Sequence, residues 1–242
     1  LGPDPLFFYQ PLRPNAVRRE GVQMHRRSAL PAAERLRQAV EEGQPQAVGY
    51  TAGFLCHLAL DSACHGYVDE RAAEGPISHM AMEGEYDRML MEDDGLDPCG
   101  RAHLPAAPED GAVWQAAARA FVHASPGQVR QAYRAMTFLI GFLARSCGTK
   151  RGRVIGAVSH MLPIRSAKGI ALKEEPHPSA AESNADLDRL LERAVEETAE
   201  QLGAFFRAVA AEEPVPAWFD RDFKGNPPHI PSTLRWQEAH SA

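Results

Sequence analysis

The stretch AVGYTAGFLCHLALDSACHGYV, residues 47–68, decides the fold. Within residues 45–69 it is apolar almost all round, which predicts the buried central helix of an α-helical domain. His57, Asp61 and His65 interrupt it at steps of four. Each such step turns a helix by ~40° and climbs ~6 Å, so all three side chains project from one face. Burying two imidazoles and a carboxylate in an apolar helix is costly unless they are paired and neutralised. A metal ion does both. His57 and Asp61 can reach one ion, whereas His57 and His65 stand ~12 Å apart along the axis and cannot share one. The spacing therefore predicts two neighbouring metal sites, with Asp61 between them as a possible bridge.

On the next helical segment, His79 and Glu83 are again four apart and form a two-ligand edge. His65 is a third ligand within reach across the connecting turn. Three ligands and an open position make a catalytic zinc pattern, and ligands from facing helices are an established way to build it. Imidazole and carboxylate without thiolate suit zinc over manganese or iron.

The flanking sequence reads the same way. Residues 1–15 hold four prolines and the cluster Phe7-Phe8-Tyr9, an irregular packed entry segment. Helices are expected at 28–43, with Ser28 as the cap, Pro31 in the first turn and Gly43 at the end, and at 77–92. Further helices fit 112–124, 126–147, about 150–161 and 185–212. The Asp-, Pro- and Gly-rich stretch from Asp93 to Asp110 is a loop, and so is Pro163 to Asn184. From about residue 213 the tail is irregular, with five prolines. Neither β-alternation nor a fixed repeat is visible. The expectation is an all-α, single-domain multi-helix bundle over residues 1–242, with a metal cluster between core helices.

Composition narrows the function. With 242 residues, 44% hydrophobic and 24% charged, the chain can bury a sizeable core. Twenty-six Lys and Arg against 32 Asp and Glu give a net charge of -6, which argues against stable nucleic-acid binding. No run of about 18 apolar residues exists to span a membrane. The four cysteines, Cys56, Cys64, Cys99 and Cys147, form no CxxC pair and are expected as free or buried thiols. Of the ten histidines, His103, His123, His160, His177, His229 and His240 show no partner spacing. Taken alone, Asp4 in Gly-Pro-Asp is a turn residue and His25 a helix-flanking one.

Taken together, Gly2-Pro3-Asp4, His25, GFLCHLALDSACH at 53–65 and the His79–Glu83 pair resemble the zinc-dependent phospholipase C family. This family is also described as the phospholipase C/D domain. It is related to fungal single-strand nucleases that use three zinc ions. The resemblance covers residues 1 to about 95. FDRDFKGN at 219–226 is similar to what some members carry.

The resemblance implies an all-α fold and a zinc cluster that hydrolyses phosphodiesters, here a phospholipase C-type release of a phosphorylated headgroup from a phospholipid. It assigns Asp4, His25, His57 and Asp61 to one zinc. His65, His79 and Glu83 go to another, and Asp61 bridges towards a third. In the family the mature N-terminal amino group and a nearby His also hold that third ion. Leu1 lies just before Asp4, so the expectation is a start truncated upstream of those ligands and two or three zinc ions.

Asp4 and Asp61 are the catalytic candidates, Asp4 as a possible proton acceptor. Phe7, Phe8 and Tyr9 are candidates to face a choline-type headgroup, with core packing the competing reading. The resemblance also implies secretion, while no signal peptide is visible and a cytoplasmic location stays open. A monomer making peripheral membrane contact is expected. The alternatives are a nuclease or nucleotidase of the same metal architecture, and a metal-binding protein without activity.

Overall fold

A computed structural model describes residues 2–161 and 169–227. Its elements are a short 3₁₀ turn Asp4–Phe8, then α1 (Ala16–Met24), α2 (Leu30–Glu41), α3 (Ala47–Glu74), α4 (His79–Asp93), α5 (Gly111–Ala118), α6 (Pro126–Ala144), α7 (Lys150–Met161) and α8 (Ala180–Ala210). A second 3₁₀ turn follows at Ala217–Phe219. The protein is all-α: among the described residues no strand occurs. No helix is long and apolar enough to cross a membrane among them.

The chain divides into two compact units. The first comprises Leu1–Gly66, Ala106–Met136 and Leu191–Ala242, and the second Tyr67–Pro105 and Thr137–Leu190.

In the first unit the core gathers Leu6, Leu36, Phe54, Leu55, Leu58, Phe205, Phe219 and Phe223, each essentially without exposure. Side chains of this size contribute roughly 1.5–3 kcal/mol each on burial. The helix α1 was not expected. Its buried face consists of Val17, Glu20 and Gly21, a single large apolar residue among the three, so apolar periodicity does not reveal it. Two local features form it instead. Asn15 caps it by accepting the Arg18 N–H at 2.8 Å. Gly21 lets it lie against the entry turn, where a Cβ would stand 2.9 Å from the Leu6 Cβ. Glu20 is buried and accepts the backbone N–H groups of Val122 and His123, at 2.5 and 2.8 Å. At α2, Ser28 takes the Leu30 N–H at 3.2 Å and donates its hydroxyl to Asp220 at 2.6 Å.

In the second unit, Val68, Ile77 and Met82 are buried beside polar anchors. Arg88 pairs with Glu85 at 2.9 Å, both almost fully buried, and also donates to the Lys173 and Glu174 carbonyls. Tyr67 donates to Asp186 at 2.7 Å. The expectation of four unlinked thiols is corrected here: Cys99 and Cys147 form a disulfide, while Cys56 and Cys64 are free. The two partners are 48 residues apart, one in the loop after α4 and one just after α6, so no short-range motif announces the bond. Helix α8 begins at Ala180, five residues before the expected start. Residues 162–168 of the expected Pro163–Asn184 loop, and the tail beyond residue 227 with His229 and His240, lie outside the described residues.

Candidate metal centre

In the first unit the entry turn, the end of α1 and the middle of α3 bring Asp4, His25 and His57 together. One ligand atom from each lies within 4.8 Å of the others. His25 Nε2 is 2.9 Å from Asp4 Oδ1, and His57 Nε2 is 3.6 Å from the same oxygen. Asp61 Oδ2 is 3.3 Å from His57 Nε2 and 3.5 Å from His65 Nε2. Thus the carboxylate between the two α3 imidazoles faces both, as the i, i+4 spacing requires.

Neighbouring groups fix the orientation of these side chains. His25 follows the last turn of α1, and its Nδ1 donates to the Gly21 carbonyl at 2.8 Å. That bond leaves Nε2 as the atom presented to Asp4. His57 lies against the Gly2 backbone so closely that a Cβ there would stand 2.4 Å from its Cδ2. Phe7 packs on the His25 ring at 4.9 Å between centroids. Phe223 packs on both imidazoles, 4.8 Å from His25 and 5.6 Å from His57.

The electrostatics follow from this packing. Burial alone would raise the Asp4 pKa, but His25 and His57 hold it well below the usual carboxylate range. Burial pushes the His57 pKa down, and Asp4 and Asp61 more than offset that, so the net shift is upward.

These donors fit a zinc ion. Two ligands ~2.0–2.1 Å from a tetrahedral zinc stand roughly 3.3–3.4 Å apart. The spacings of 2.9, 3.3 and 3.6 Å around Asp4 Oδ1 and His57 Nε2 bracket that value. His57 Nε2 is moreover a buried nitrogen that faces Asp61 at 3.3 Å and Asp4 at 3.6 Å without a well-aligned hydrogen bond to either. A cation held among the same oxygens would give that nitrogen a well-directed partner.

In the second unit, His79 at the start of α4 is held between two carboxylates. Its Nε2 is 3.0 Å from Glu83 Oε1 and its Nδ1 is 3.0 Å from Asp69 Oδ1. Burial would lower its pKa, but hydrogen bonds to Asp69 and Glu83 raise it to about 9. Both ring nitrogens face acceptors, so the ring holds a proton on each, or a proton on one and a metal on the other. A carboxylate on one nitrogen and a metal on the other is the usual way a ligating imidazole is oriented. Asp69 is not among the residues that the sequence analysis singles out. Its signal was present, because it continues the series His57, Asp61, His65 by one further step of four.

The aromatic candidates separate. Phe7 and Phe8 are half-buried, Phe7 against His25, while Tyr9 is a core residue whose hydroxyl accepts from Gln10 and Gln128. His103 and His177 are engaged locally, with the Asp97 carbonyl and the Ser179 N–H. No protein-family model, curated protein or solved structure matches this chain.

Proposed function

We propose that the protein is a zinc-dependent phosphodiester hydrolase of the phospholipase C type, releasing a phosphorylated headgroup from a phospholipid. The observation that carries this reading is the convergence of Asp4, His25 and His57 around a buried His57 Nε2 that lacks a well-aligned hydrogen bond. Asp4, His25, His57 and Asp61 would hold one zinc. His79 and Glu83 would hold another. Bound zinc lowers the pKa of a coordinated water towards ~7 and polarises a phosphoryl oxygen.

The chain's own residues supply the rest. Asp4 stays ionised across the neutral range, which suits it to binding a cation and makes it a weak proton acceptor. Asp61, between His57 and His65, is the better-placed carboxylate to link two neighbouring ions. The Gly21 carbonyl and Asp69 hold His25 and His79 by their Nδ1 atoms and so aim both Nε2 atoms. An acidic overall charge is compatible with an anionic substrate, since the bound ions supply the local positive charge.

The test has two parts. Metal analysis of purified protein should find at least two zinc per chain. Release of phosphocholine or phosphoethanolamine from mixed vesicles is then compared with cleavage of single-stranded DNA. Headgroup release without DNA cleavage is expected. DNA cleavage alone would transfer the site to a nuclease, and a folded protein that takes up no zinc would end the reading.

A further inference from the structure

The two imidazoles nearest Asp4 share a neighbour from the far end of the chain. Phe223 is 1% exposed, and its ring packs on His25, His57 and Phe54 with centroids 4.8, 5.6 and 6.0 Å away. His25 is thereby held between Phe7 and Phe223.

The turn that carries Phe223 is built with unusual care for a surface connection. Asp222 is buried, and its Oδ1 accepts the backbone N–H groups of Lys224 and Asn226 at 2.9 Å each. The Asn226 side chain donates to both carboxylate oxygens, and the Asp222 N–H donates to the Asn226 carbonyl at 2.9 Å. Gly225 has φ +79, and a Cβ there would lie 2.8 Å from the Ser62 carbonyl on α3. Ser62 directly follows Asp61 and donates its hydroxyl to the Asp222 carbonyl at 3.4 Å. The turn is therefore pinned to α3 beside the candidate ligands. A phenyl ring contributes no ligand atom, but it fixes two that do.

We propose that Phe223, presented by the Asp222–Asn226 turn, is a positioning residue of the Asp4–His25–His57 centre. It sets the metal affinity of that centre by locking both imidazoles in the rotamers that aim Nε2 at Asp4. Outer contacts that orient ligands typically change metal affinity by about 10–100-fold. Side-chain entropy is the reason: a ring free to turn must be ordered when the ion binds. This inference rests on the metal reading above, but concerns a residue that reading does not use.

The test uses Phe223→Leu and Gly225→Ala, the second chosen to displace the turn without touching the ring. Phe205→Leu is the control. Phe205 is as deeply buried in the same unit, and its ring packs on Phe206 and Phe219. Zinc affinity is measured by chelator competition. The ligand field is followed by the visible spectrum of the cobalt(II)-substituted protein, and folding of the metal-free form by thermal unfolding.

The expected result is a loss of roughly 10–100-fold in affinity for one ion in both turn variants, with a changed cobalt spectrum. Phe205→Leu should lose comparable thermal stability and keep wild-type affinity and spectrum. Equal affinities and spectra in all three variants would overturn the positioning role while leaving the metal reading intact. Failure of Phe223→Leu to fold where Phe205→Leu folds would make Phe223 structural and overturn it too. A wild-type protein that takes up no metal would overturn both readings.

Discussion

If His79 holds a metal as proposed, binding there should depend strongly on pH, in a direction set by the two carboxylates beside its ring. Held between Asp69 and Glu83, its imidazole has a pKa raised to about 9 in the metal-free protein. At pH 7 only about one ring in a hundred is then neutral. A metal needs the neutral ring, so binding must displace a proton. The apparent affinity of the ion that His79 is proposed to hold should therefore rise about tenfold per pH unit between pH 7 and 9, then level off. Asp69→Asn removes the first of the two supporting carboxylates, so the levelling should begin at lower pH.

The assay is competition against a zinc buffer across this range, with calorimetry in two buffers of different ionisation enthalpy to count released protons. An affinity constant within twofold from pH 7 to 9, with no proton released, would refute the reasoning. The metal-free protein should show the opposite trend. The folded-state pKa of His79 lies above its unfolded value near 6.5. Its stabilisation is thus full below about pH 6.5 and lost as pH rises through about 9.

Three other outcomes are expected. Asp61→Asn replaces the carboxylate shared by His57 and His65 with an uncharged amide, so on the proposed function it should lose at least one zinc by metal analysis and lose hydrolysis; wild-type turnover would exclude a bridging role. Glu20→Gln replaces an oxygen that accepts a buried N–H with a group that donates, and should lower unfolding free energy in denaturant by about 1–3 kcal/mol. Cys147→Ser opens a link across 48 residues and should cost up to about 4 kcal/mol on the loop-entropy estimate, with reduction of the wild type giving the same loss.

The sequence by itself determined the helical class and the α3 series. Both depend on neighbours three to four residues apart, and that spacing is read directly along the chain. Asp61 faces His57 and His65, and Glu83 faces His79, because each pair shares a helix face. The same rule would have yielded Asp69, one step beyond His65. Local reading failed at α1, whose buried face carries a glutamate and a glycine that only a close neighbouring segment explains.

Tertiary structure alone decided what lies between distant segments. It joined Cys99 to Cys147, and it set the Asp4 carboxylate against His25 and His57, three residues that only the family resemblance, not chain spacing, had grouped. It also pressed Phe223 onto two imidazoles that precede it by more than 160 residues. Such contacts follow from which buried surfaces meet, and chain spacing carries no record of that. One helix face thus carries the candidate ligands along the chain, but only packing shows the buried His57 nitrogen facing Asp4 and Asp61 without a well-aligned hydrogen bond.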